Sequence, residues 1–342
     1  MASSFVVADL LRRQESARHL DFKVEVPCPV KNRFQAAYEA FQAEQHVLSG
    51  RRFFSFVPSM CGEHVEVAGT LRDVAAATSV EQLPEVSIDS AAGAFTSTSV
   101  VERFAKAGAF QQVVDLTEVP FLDADSFTDP LGAYNVIAVN PEVMLIDRRA
   151  LGDRPVPQSL TDLLDPIYAD SLSIGDSHKS IGTRFLSWVK ATHGEEGLVA
   201  ADRTIATALN GPGTARTAGR TSPAPAAIYL APWVFVQGAV KPGRLELVWP
   251  SDGALCNPLL TIVRADLAEE NQPLVDFATS ASLGSVFATS HFPSTMPGAT
   301  PVMPEGACVQ WLGWDHLLSG RQAAWDVELS VRFAKYHRDN SC

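Results

Sequence analysis

A regular alternation of short apolar runs with amphipathic stretches restricts the fold of this chain more than any other feature of its sequence. Within the first helical stretch, the spacing of Phe34, Tyr38 and Phe41 puts these side chains on one face. Strands that alternate with helices favour a parallel sheet covered on both faces. In the first third of the chain the pattern predicts strands at 22–26, 52–57 and 86–89, and helices at 33–45, 67–77 and 99–107.

The middle of the chain begins with two apolar runs, 134–139 and 143–146, which are separated by Asn140-Pro141. We interpret these runs as crossing strands that carry the chain from one lobe into another. A chain of 342 residues is longer than a single hydrophobic core usually supports. We therefore expect a first lobe formed by 20–133 and 251–342, and a second lobe formed by 134–250.

The charge balance restricts the partners of this protein. The net charge is −12, with 39 acidic residues against 27 Lys and Arg. Such a chain is poorly suited to bind nucleic acid or an anionic membrane surface. No apolar run is long enough to span a bilayer, which takes about 20 residues. A small anionic ligand stays compatible with the charge, because backbone N–H groups can bind anions locally.

One segment carries a specific resemblance. Residues 155–168 are similar to the P-x-S-W-x-D-L-L-D-P-x-Y segment of type 2 periplasmic-binding proteins from the ferric-iron, polyamine and phosphonate importer group. Leu160 stands where that group usually has Trp. Residues 134–140 resemble the hinge strand of the group, and 249–254 resemble the turn at which its chain re-enters the first lobe.

Weaker similarity to these binding proteins extends to Phe292-Pro293-Ser294 and to the residues 311–315. The resemblance implies an α/β protein with the two-lobed type 2 periplasmic-binding fold. Two mixed sheets flanked by helices would be joined by a hinge, with the ligand held in an interlobe cleft and trapped when the lobes close.

The function implied by the resemblance is that of a solute-binding protein for an ABC importer. The ligand would be an oxyanion-bearing organic molecule or a metal complex, and no cofactor is predicted beyond a metal within the ligand. The first residues lack the pattern of a signal peptide. We expect a periplasmic or extracellular protein with an ABC permease as partner if an export signal was removed. If Met1 is the natural start, we expect a cytoplasmic protein.

Ligands of open α/β sheets bind beyond the carboxyl ends of the strands, so loops at those ends supply the candidate ligand residues. The loop 175–183 follows a strand and opens a helix, where free N–H groups and the helix dipole favour anions. The candidates for ligand contact are Cys28, Ser90, Tyr134, Ser177, His178, Lys179, Ser180, Ser222, Tyr229 and Asp252.

The five cysteines cannot all pair within the chain and form no C-x-x-C motif, which favours free, mostly buried thiols. Soft-metal ligation remains an alternative. Ferric-binding relatives commonly use adjacent tyrosines late in the second lobe, whereas Tyr229 is followed by Leu230, which disfavours a bare ferric ion. The candidate metal ligands are Cys28, Cys61, His64 and Cys256.

Two further functions fit the same sequence. One is a cytosolic enzyme built on the periplasmic-binding fold, with Cys28 as nucleophile and His178 as base. The other is a binding protein kept inside the cell as a sensor or carrier.

Overall fold

The computed structural model of the chain describes residues 20–58, 74–175, 182–220, 222–299 and 303–337. Its strands are β1 (Phe22–Val24), β2 (Ser55–Phe56), β3 (Val86–Ser90), β4 (Tyr134–Asp147), β5 (Leu172–Gly175), β6 (Ile205–Leu209), β7 (Ile228–Pro232), β8 (Leu245–Val248), β9 (Ala254–Val263) and β10 (Val309–Gln310).

Its helices are α1 (Cys28–Ser49), α2 (Thr98–Val100), α3 (Ala124–Phe127), α4 (Arg148–Leu151), α5 (Arg184–Thr204), α6 (Gly211–Thr217), α7 (Trp233–Val236), α8 (Gln272–Ala278), α9 (Ala281–Thr289), α10 (Gly313–Leu318) and α11 (Arg321–Arg332). A π-helical turn, Val101–Ala105, continues α2. None of the helices among the described residues is both long and apolar enough to cross a lipid bilayer.

The chain divides into two compact units. The first comprises the described residues of Met1–Val119, Ala124–Val139 and Asn257–Val302, and the second those of Pro120–Asp123, Asn140–Cys256 and Met303–Cys342. Strands β4 and β9 contribute to both units, because each division falls within a continuous strand.

The first unit is built on a mixed sheet. Strand β1 lies parallel to β2 and β3, and the second half of β9 lies antiparallel to β3. Helix α1 packs on this unit through Phe34, whose ring lies 6.0 Å from that of Phe277 and 6.2 Å from that of Phe287. The buried aromatic face predicted for the first helix is therefore used to join α1 to α8 and α9.

The second unit also has a mixed sheet. Strand β5 lies parallel to β6 and β7, while β4 lies antiparallel to β7 and β8. One face packs on α5 through the buried residues Phe185, Leu186, Trp188 and Val189. The mixed α/β architecture with two units agrees with the fold class predicted from the sequence.

The C-terminal residues differ from the sequence-based division, which placed 251–342 in the first lobe. The structure places 303–337 in the second unit. The reason is that α11 packs along α5: Leu329 is fully buried in the core of this unit, and Lys190 forms an ion pair of 2.6 Å with Glu328. A second ion pair of 2.7 Å joins Arg332 to Glu195.

Candidate functional site

Several candidates named from the sequence lie outside the described residues. They are Cys61, His64, Ser177, His178, Lys179 and Ser180. The other candidates can be placed, and they divide into side chains with a structural role and side chains at the ends of strands.

Cys28 is the first residue of α1 and is disulfide-bonded. A half-cystine offers no thiolate, which is the form that attacks a substrate or ligates a metal. The structure therefore differs from the expectation of a free thiol at Cys28, and the disulfide argues against the roles predicted for this residue as nucleophile and as metal ligand.

Cys256 is a free thiol but is almost completely buried. Burial raises the pKa of this thiol well above its usual range, with opposing contributions from nearby Arg184 and Glu142. A neutral, enclosed thiol is a poor metal ligand. Among the described residues, no group of three or more His, Cys, Asp or Glu side chains is arranged to hold a metal ion.

Both candidate tyrosines are core residues. Tyr134 is buried and its hydroxyl donates a hydrogen bond of 2.9 Å to the Phe95 carbonyl. Tyr229 is fully buried in an apolar cluster with Trp233, and burial raises its pKa to about 12. Because both side chains are enclosed, the structure gives them roles in packing rather than in contacting a ligand.

Asp252 holds two parts of the second unit together. Its carboxylate accepts hydrogen bonds from the backbone N–H of Leu160, at 2.9 and 3.1 Å, and from that of Thr161 at 3.3 Å. It therefore caps the turn Thr161–Leu164 instead of facing a ligand. The contact also joins the two segments that carried the sequence resemblance, 155–168 and 249–254.

Ser90 and Ser222 stay predicted ligand residues. Ser90 ends β3 and is half-buried, and Ser222 is exposed, next to Pro223. Neither hydroxyl is committed to a hydrogen bond among the described residues, since Ser90 uses its backbone N–H to bond to Asp89.

An ion pair that we did not predict from the sequence lies beside the end of β5 in the second unit. Arg184 Nη1 donates to Glu142 Oε1 at 2.6 Å. Glu142 is 8% exposed and lies in β4, whereas the side chain of Arg184 is 33% exposed at the start of α5. Gly175 ends β5 beside the pair, and a Cβ added to this glycine would lie 3.8 Å from Glu142 Oε1.

The two members of this pair differ in what they can offer a ligand. Burial raises the pKa of Glu142, and the attraction of Arg184 opposes that shift. The buried Glu142 carboxylate is occupied by its ion pair with Arg184. The Arg184 guanidinium has further N–H donors and is partly exposed to solvent. Arg184 begins a helix that continues to a kink at Gly194, and its guanidinium favours an anion because the helix dipole and the fixed donors act together.

A signal for this pair was present in the sequence. Glu142 is a lone acidic residue within an apolar stretch, two positions after Asn140. A buried carboxylate needs a partner. Its partner Arg184 is 42 residues away along the chain, and only the fold shows that the two meet.

The first unit has a buried charged group near the end of β3. Asp89 of β3 is fully buried, and its Oδ1 accepts a hydrogen bond of 2.8 Å from the backbone N–H of Ser90. Gly93 lies against the same carboxylate, so that a Cβ there would be 2.1 Å from Asp89 Oδ1. The turn after β3 therefore depends on a glycine.

Replacing Gly93 with alanine should lower the free energy of unfolding by about 1–3 kcal/mol, because the buried Asp89 side chain or the backbone of the turn must move to relieve the overlap. Urea denaturation would measure the loss. Gly238→Ala is the matched control, since a Cβ there meets nothing within 4 Å. Equal stability of the two variants would show that the turn accommodates the methyl group.

A match to a known protein family shows to which family this chain belongs. Residues 81–319 match the family of bacterial extracellular solute-binding proteins. The chain belongs to this family. The resemblance proposed from the sequence, to the substrate-binding components of importers, is confirmed. No curated protein matches the sequence significantly.

Solved structures share the fold at low sequence identity. A Bordetella ferric binding protein is 15% identical, with a TM-score of 0.61 over 94% of this chain and 100% of that one. A Trichodesmium protein, IdiA or FutA, in complex with iron and citrate is 11% identical, with a TM-score of 0.59 over 92% and 99%. An ABC transporter protein from Clostridium perfringens is 11% identical, with a TM-score of 0.60 over 93% and 100%.

Proposed function

We propose that this solute-binding protein captures a small organic anion and presents it to an ABC permease, with Arg184 as the residue that recognises the negative charge. The observation that carries the proposal is the ion pair of Arg184 with the buried Glu142. A guanidinium fixed on one side by a buried carboxylate keeps its remaining donors in a defined orientation for an anionic group.

The side chains around the ion pair of Arg184 and Glu142 favour an anion over a metal ion. The exposed member of the ion pair is a cation, and Cys256 nearby is held neutral by burial. An oxyanion or carboxylate is the natural partner of a guanidinium, whereas a bare cation would be repelled by it.

Export of the protein is supported by the disulfide at Cys28. Disulfides persist in the periplasm and outside the cell and are rare in reducing cytoplasm. A periplasmic or extracellular solute-binding protein is also in the right compartment to meet a permease. We therefore place the protein outside the cytoplasm as part of the same proposal.

Ligand-induced stabilisation tests the recognition of anions. Protein freed of ligand by unfolding and refolding would be heated with phosphate, citrate, succinate or phosphonoacetate, and separately with Zn²⁺, Fe³⁺ or putrescine. At least one anion should raise the Tm of the wild type by several degrees, because a ligand that binds only the native state stabilises it.

The matched variant is Glu142→Gln combined with Arg184→Gln, which removes both charges together and leaves no buried carboxylate unpaired. This double variant should lose the shift, and the exposed Arg149→Gln control should keep it. Stabilisation by the cations alone, or an unchanged shift in the double variant, would contradict the proposal.

A further inference from the structure

The N-terminal end of α5 is tied to the C-terminal helix α11. The residue before Arg184 is Thr183, the N-cap of α5, whose side chain makes no capping hydrogen bond to the backbone of its own helix. The hydroxyl donates instead to Asp326 Oδ1 of α11. The residue that begins the helix is thus fixed by a side chain 143 positions further along the chain.

Three more polar contacts hold α11 and the residues after it along the rest of α5. Lys190 Nζ lies 2.6 Å from both carboxylate oxygens of Glu328. Further along, Arg332 bonds to Glu195 at 2.7 Å and Lys335 to Asp202 at 3.0 Å. These contacts are partly exposed, so each alone contributes little to stability. Their common effect is to set the position of α11 on α5.

Apolar packing also fixes the position of α11 on α5. Leu329 of α11 is fully buried, as is Phe333 just after the helix, and both belong to the core cluster that contains Phe185 and Trp188 of α5. Trp325 packs beside Asp326, under Lys190 Nζ at 4.8 Å from the ring centroid. Asp326 is therefore carried on a helix that cannot move independently of α5.

From these contacts we infer that Asp326 is a positioning residue for ligand recognition: through Thr183 it holds the first turn of α5 and so sets the place of Arg184. The inference rests on the role of Arg184 proposed above. Asp326 does not touch the ligand in this account. Its carboxylate accepts the hydrogen bond of the Thr183 hydroxyl, one residue before Arg184.

The charge and the hydrogen bond of Asp326 have opposite effects on an anion. The hydrogen bond to Thr183 fixes the helix start and favours binding, whereas the negative charge near the same helix start repels an anionic ligand. Asp326→Asn keeps an oxygen acceptor and loses the charge. Asp326→Ala loses both. A residue with only a structural role would not separate the two variants in this way.

Hydrogen exchange at the Ser187 amide tests the positioning without any ligand. This amide donates to the Thr183 carbonyl at 2.7 Å and reports on the first turn of α5. In Asp326→Ala its exchange should be about tenfold faster, the size expected for the loss of one hydrogen bond to a charged group. Asp326→Asn should stay within about twofold of the wild type, and so should Glu328→Gln, which weakens the contact between the two helices away from Thr183.

Titration with citrate and with phosphate then measures recognition. Asp326→Asn should bind the anion as tightly as the wild type or more tightly, and Asp326→Ala should bind it about three- to tenfold more weakly. Unchanged exchange at Ser187 in Asp326→Ala, or the same acceleration in Glu328→Gln, would overturn the positioning role. Faster exchange in Asp326→Ala alone, with no anion bound by the wild type, would uphold the positioning of the helix and refute the proposed function.

Discussion

Replacing Arg184 alone with glutamine should destabilise the protein by about 3 kcal/mol at neutral pH. The variant leaves Glu142, which is 8% exposed, as a buried carboxylate without its counter-ion. Breaking one side of a fully buried ion pair costs about 3–5 kcal/mol. Because the Arg184 side chain is 33% exposed, we expect the lower end of that range.

The pH dependence gives this result a second, independent signature. Burial already raises the pKa of Glu142, and loss of the attraction from Arg184 would raise it further. A carboxyl whose pKa is higher in the folded than in the unfolded state binds its proton more tightly when folded. The stability deficit of Arg184→Gln relative to the wild type should therefore shrink as the pH falls.

Chemical denaturation of four proteins measures both effects: the wild type, Arg184→Gln, Glu142→Gln and the double variant. The double variant should regain most of the stability lost in Arg184→Gln, because neither charge is then left unpaired. A double variant as unstable as Arg184→Gln, with no improvement at lower pH, would show that the ion pair is not the source of the loss.

Replacing Asp89 with asparagine should remove a large pH dependence of stability from the first unit. Burial raises the pKa of Asp89 to about 6, while Lys23 lowers it and Glu25 raises it. An ordinary aspartate has a pKa of about 3.9. The folded protein therefore holds the Asp89 proton to higher pH than the unfolded chain does, and stability from this group is lost as pH rises from about 4 to about 6.

The size of the effect follows from the shift of about two pKa units. At about 1.4 kcal/mol per unit the whole shift is worth about 3 kcal/mol. About 2 kcal/mol of it should appear as extra stability of the wild type at pH 4 over pH 7, relative to Asp89→Asn, because the unfolded carboxyl is itself about half protonated at pH 4. Denaturation of both proteins at the two pH values gives the difference directly. A difference that does not change with pH would mean that Asp89 has the same proton affinity in the folded and unfolded chain.

The alternation of strands and helices was readable from the sequence because apolar spacing is a local property. The first helix is an example, since its buried face was assigned correctly although its start was placed too late. The helix begins at Cys28, directly after Pro27, with Pro29 within its first turn. Proline is tolerated there, because the first N–H groups of a helix have no partner within it.

Strand β6 shows where local spacing is insufficient. The apolar spacing of 195–209 predicts one helix, whereas Ile205–Leu209 is a strand beside β5. A short apolar run suits a buried helix and a buried strand equally. Pairing with β5 decides between them, and that pairing joins residues more than thirty positions apart.

The candidate site was predicted less well than the fold because its contacts join distant parts of the chain. Tyr134 was predicted to contact a ligand, but its hydroxyl donates a hydrogen bond to the Phe95 carbonyl. The carboxylate of Asp252 likewise accepts a hydrogen bond from the backbone N–H of Leu160. The ion pair between Glu142 and Arg184 was missed, because Glu142 lies in the gap between the two predicted strands 134–139 and 143–146, and only the fold brings it to Arg184.

Native mass spectrometry beside denaturing mass spectrometry, on protein freshly purified from its host, tests the central claim most directly. We expect a small anionic molecule that accompanies the folded wild type, leaves on denaturation, and is absent from the variant that combines Glu142→Gln with Arg184→Gln. A bound metal ion or cationic molecule instead, or an anion retained equally by that variant, would contradict the assignment of Arg184 as the residue that recognises the solute.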